Sequence, residues 1–85
     1  MVVVHREHGF RFAILTDDHD PPHVHVYGDG ELKVNIFGPD GLPEEVYNLG
    51  VKANDRRRAM VVIRARQAEF MARWIEIHGD ERNAE

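Results

Sequence analysis

His23-Val24-His25-Val26-Tyr27-Gly28-Asp29-Gly30-Glu31-Leu32-Lys33-Val34-Asn35-Ile36-Phe37 reads as two alternating strands joined by a glycine-flanked turn, and its register decides the fold. Side chains two apart in a strand share a face, so a two-residue loop would set the valines of the first strand against the polar residues of the second. A three-residue loop, Gly28-Asp29-Gly30, pairs Val26 with Leu32 and Val24 with Val34 and gives one continuous apolar face. Gly30 is then the residue expected in the left-handed conformation. The same register sets His25 opposite Lys33, His23 opposite Asn35 and Tyr27 beside Glu31, so the other face is polar and chemically rich.

Upstream, Phe10, Phe12 and Ile14 alternate with Arg11 and Ala13, which predicts a strand over residues 10–15 that stops at the acidic turn from Asp17. Downstream, the hairpin strands span 23–27 and 31–37, Gly38-Pro39-Asp40-Gly41 is a further turn, and a fourth strand is expected near 45–48. Asn54 is a good N-cap residue and Gly79 a good C′ residue, so residues 54–78 read as one long helix. Its stripe of Met60, Ile63, Gln67, Phe70, Trp74 and Ile77 is spaced to cover the apolar face of the sheet. A second stripe, Val61, Ala65, Ala68, Ala72 and Ile75, lies on nearly the opposite side, where it is either a solvated run of good helix formers or a surface for a homodimer or a small cognate protein. The expected fold is α+β: a three- or four-stranded antiparallel meander packed on one long C-terminal helix. It forms a single domain over residues 1–85 with a frayed tail at 80–85.

Composition narrows the function. The chain has no cysteine, so disulfides, thiolate metal sites and cysteine nucleophiles are excluded, and a reducing cytoplasm fits. Serine is absent and Thr16 is the only threonine, which argues against covalent acyl chemistry. Eleven basic against fifteen acidic residues give a net charge of −4, unlike a generic nucleic-acid binder that relies on phosphate contacts. No apolar run is long enough for a signal peptide or a membrane span, so a soluble protein without a membrane partner is expected.

The chemistry is concentrated in Asp17-Asp18-His19-Asp20-Pro21-Pro22-His23-Val24-His25. The prolines hold the acids in a loop and feed the histidines into a strand, where His23 and His25 share a face. One candidate chemistry is acid–base, directed at RNA, with His25 and His23 moving protons. Lys33 would stabilise developing negative charge, and Asp18 or Asp20 would orient an imidazole. The substrate's own 2′-hydroxyl would then serve as nucleophile. A second is a divalent metal such as zinc on His23 and His25 with His19 or Asp18, the three protein ligands of an open zinc site, although Lys33 would repel a cation. A third is structural: the histidines bond to the acidic loop and leave Tyr27, Lys33 and Asn35 as a recognition surface for a partner protein.

The order Asp18, Asp20-Pro21-Pro22-His23-Val24-His25-Val26, then Gly28, an alternating strand and a late Trp74 resembles a family of small bacterial proteins of unknown function whose hallmark is an acidic turn followed by Pro-Pro-His-x-His. The resemblance extends from about Gly9 to Trp74. It implies a toxin–antitoxin-associated role, because such proteins are often encoded beside another small protein, and it points to Asp18, Asp20, His23 and His25 as the matching positions without assigning them a mechanism. The chain departs from the pattern in carrying Val24 where an aromatic is common and in its longer turn over residues 38–43.

Overall fold

In the computed structural model, which describes residues 1–79, five strands form an antiparallel sheet in the order β1-β2-β3-β4-β5, followed by two helices. The elements are β1 Val2–Glu7, β2 Phe10–Ile14, β3 His23–Tyr27, β4 Glu31–Asn35, β5 Glu44–Leu49, α1 Ala53–Ala65 and α2 Gln67–His78. The fold is thus a mixed α and β meander with one more strand and one more helix than expected, and the proposed frayed tail lies outside the described residues.

β1 escaped the sequence reading because its apolar and polar residues do not alternate, and the register slips between Val3 and His5. It joins β2 through His8 and Gly9, both at positive φ (55° and 80°), the combination that a two-residue hairpin turn demands. The β3–β4 register is the expected one, with Val24 opposite Val34, Val26 opposite Leu32, His25 opposite Lys33 and His23 opposite Asn35. Gly30, however, is not left-handed. It is required for a different reason, since a Cβ there would fall against the Leu49 carbonyl oxygen and 2.7 Å from the Gly50 carbonyl carbon. β4 ends at Asn35 rather than at residue 37: the Ile36 N–H still donates across to the Pro22 carbonyl at 3.0 Å, but Pro22 has no N–H to return the bond, and the ladder stops there.

The expected single helix bends at Arg66 (φ −118°, ψ 20°), whose N–H is shared between the Val62 and Ile63 carbonyls at 3.1 Å each. No proline or glycine marks the place. The next residue, Gln67, instead donates from Nε2 to the carbonyls of Ile36 (2.8 Å) and Gly41 (3.0 Å), tying the bend to the β4–β5 loop. The first helical residue is Ala53 with Lys52 as the cap, and Asn54 accepts from Arg57 instead of capping. Gly79 ends α2 at φ 75° as expected.

Phe12, Val24, Val26, Leu32 and Val34 of the sheet, with Ile36 just beyond β4, pack against Ala59, Val62, Ile63, Phe70 and Trp74 of the helices, all buried. Full burial of an aromatic such as Phe12 or Phe70 is worth about 1.5–3 kcal/mol over leaving it exposed, so this face supplies most of the cohesion of the fold. Of the second stripe, Val61 stands 68% exposed and Ile75 43% exposed. No helix among the described residues is long and apolar enough to cross a membrane.

Candidate functional site

The face of the sheet that carries the histidines is organised around one carboxylate. Asp18 is held by its own N–H, which donates to the Leu15 carbonyl at 3.2 Å, so the loop after β2 folds back over the start of β3. Its Oδ2 lies 2.8 Å from His23 Nε2 and 3.2 Å from His25 Nε2. The two imidazoles come from alternate positions of β3, with ring centroids 5.2 Å apart, as the strand period requires.

Each ring is also fixed at its far nitrogen. His23 Nδ1–H donates to the Pro21 carbonyl at 2.8 Å, in a loop whose Asp20–Pro21 peptide is cis. His25 Nδ1–H donates to Glu31 Oε2 at 3.1 Å, and the Tyr47 hydroxyl donates to the same carboxylate oxygen. The Tyr47 phenol is pushed up to about 12, first by burial and then by its bond to Glu31, so it stays a donor. His23 is 3% and His25 6% exposed, whereas the Asp18 side chain keeps 21% of its surface open. Access to the cluster is therefore from the Asp18 side.

Behind His23 lies Trp74 of α2, its ring centroid 5.2 Å away, and His78 stacks on Trp74 at 3.9 Å while donating from Nε2 to the Leu15 carbonyl at 3.0 Å. The helix pair and the histidine face are therefore not separated by the sheet, as the sequence implied. The end of α2 reaches round to pack against the site.

Of the residues singled out from sequence, Asp18, His23 and His25 come together, with candidate ligand atoms all within 4.8 Å of one another. Lys33 lies on the same face, opposite His25 on one side and Tyr47 on the other. His19 and Asp20 are exposed and not part of the cluster, so of the two expected third ligands, His19 and Asp18, it is Asp18 that stands beside the histidines. The sequence reading placed Glu31 on this face beside Tyr27 but did not name it as a site residue. Tyr47 was missed, because the β4–β5 pairing slips between Lys33 and Val34 and no alternation predicts it.

A groove of about 970 Å³ lies elsewhere, between the β1–β2 turn and the helix bend. Its arginines are already engaged, Arg57 by Asn54, Arg58 by Asp55 and Arg66 by Glu69. The groove therefore carries less chemistry than the histidine cluster.

A small α/β domain with two histidines and a carboxylate gathered on its sheet is what fold and site define. Residues 9–80 match the family model described as Domain of unknown function (DUF4160), and the chain belongs to that family. No curated protein and no solved structure matches the chain. The family description assigns no activity, so the functional reading rests on the geometry of the cluster.

Proposed function

We propose that Asp18, His23 and His25 bind one divalent transition-metal ion, with zinc the first ion to test, and that the centre keeps a coordination position for a water or a small ligand. The observation that carries this reading is the pairing of convergent Nε2 atoms with committed Nδ1 atoms. The Pro21 carbonyl can only accept, so His23 Nδ1 must hold its hydrogen, and in the neutral ring Nε2 then presents a lone pair to a carboxylate oxygen 2.8 Å away. Two lone pairs at that distance repel unless a positive species lies between them. A divalent cation would serve Asp18 and both rings at once.

Ligand atoms around a tetrahedral zinc stand about 3.3 Å apart, given bonds of roughly 2.0–2.2 Å. The spacings of 2.8 and 3.2 Å to Asp18 need to open only slightly. The outer partners support the same reading: a backbone carbonyl on one ligating histidine and a carboxylate on the other are the usual means of fixing the tautomer and raising ligand basicity. Two imidazoles and one carboxylate suit zinc, iron or nickel better than magnesium or calcium.

Calorimetric titration with zinc is expected to show one equivalent bound, and the folded His23→Ala, His25→Ala variant is expected to lose at least a hundredfold in affinity. Unshifted histidine ring resonances at equimolar zinc would reject the reading.

The register of His25 opposite Lys33 favours a second, metal-free reading. There the imidazoles act as acid and base, Lys33 is the electrostatic group, and the role is RNA-directed and toxin–antitoxin-associated. Growth arrest on induced expression of the wild type, absent with the same double variant, supports it. Arrest by both proteins or by neither counts against it.

A further inference from the structure

We propose that this centre takes a protonated oxyanion of the phosphate class, held between the bound ion, the Lys33 ammonium and the Asn35 side-chain oxygen. The inference rests on the metal reading and names the ligand of the same site. β4 lays Glu31, Lys33 and Asn35 along the site face, opposite Tyr27, His25 and His23 respectively. Side chains so opposed have Cβ atoms about 4.5–5.5 Å apart, within reach of one small ligand.

Lys33 is partly buried and makes no ion pair among the described residues, in a chain with fifteen acidic side chains. The ammonium that would repel a bare cation becomes a partner for an anion on it.

Asn35 adds the second requirement. Its Nδ2 donates to Glu44 Oε1 at 3.1 Å, which fixes which way the amide faces. The other end, Oδ1, is buried without a hydrogen-bond partner, and it is the sole side-chain atom in that condition among the described residues. A buried acceptor without a donor is costly and calls for a ligand that brings a hydrogen. Hydrogen phosphate and the monoanion of a phosphate monoester offer both an anionic oxygen for Lys33 and a P–O–H for Asn35. Sulfate offers the charge without the hydrogen at neutral pH, so the two anions separate the contributions.

The test is calorimetric titration of the zinc-loaded protein with inorganic phosphate and, separately, with sodium sulfate, the zinc content being measured before and after. Phosphate is expected to bind at least tenfold more tightly than sulfate. Lys33→Met is expected to weaken phosphate binding tenfold or more with zinc retained, and Asn35→Leu to abolish the preference over sulfate. Equal affinity for the two anions in the wild type overturns the proposal with no variant needed. Undiminished phosphate binding by Lys33→Met, or by Lys33→Gln if the former does not fold, overturns it as well. Failure of zinc to load is a different result, since it removes the metal reading underneath.

Discussion

Glu31 accepts from His25 and Tyr47 on a single carboxylate oxygen, so its removal should be felt at the proposed metal centre without any of its ligands being lost. Glu31→Gln is expected to lower zinc affinity roughly 10–100-fold, the usual cost of losing an outer partner, with the fold intact by circular dichroism. Tyr47 reports on the same contact through pH. Folding retains its proton from the ordinary 10.0 up to about 12, so across that interval the native state binds more protons than the unfolded one and stability falls as pH rises. The native tyrosinate absorbance should accordingly show a late component that disappears in Tyr47→Phe, leaving Tyr27, which burial and then the Glu31 charge also raise. At this scale the sequence was most informative where local rules apply. The prolines and the period of two brought His23 and His25 together, whereas choosing Asp18 over His19 and Asp20 depended on a loop path that no periodicity encodes.

Elements show the complementary limit of such rules. The β3–β4 hairpin was legible down to its cross-strand pairs because a parity error would have inverted a whole face. β1, the slip between Lys33 and Val34 and the bend at Arg66 were not, since each is imposed by tertiary partners: a neighbouring strand, an irregular pairing, and the Ile36 and Gly41 carbonyls that capture Gln67. Gly30 illustrates how a correct residue can be assigned the wrong cause. Its lack of a side chain, not a left-handed φ, lets the β3–β4 turn lie against the end of β5. Gly30→Ala is therefore expected to destabilise by about 1–3 kcal/mol, the range for forcing extra volume into a filled space. Urea denaturation would check this, with an unchanged midpoint as the contrary outcome.

The whole molecule is small, and an 85-residue chain at ordinary per-residue stability has only about 4–13 kcal/mol in hand. Ligand binding should therefore dominate its thermal behaviour. Zinc at a hundred times its dissociation constant would add about 2.7 kcal/mol. In a domain this size that raises the melting temperature by roughly 10–20 °C, and a chelator should reverse it. A melting curve indifferent to zinc would contradict the proposed centre. His23, Trp74 and His78 form a continuous seam that returns to the Leu15 carbonyl. Trp74 is the chain's one tryptophan, so that seam makes the protein its own optical gauge. An indole packed between two imidazoles is sensitive to charge beside it, so binding at the proposed centre is expected to change the intrinsic emission, readable at dilutions where calorimetry is blind and with no label attached.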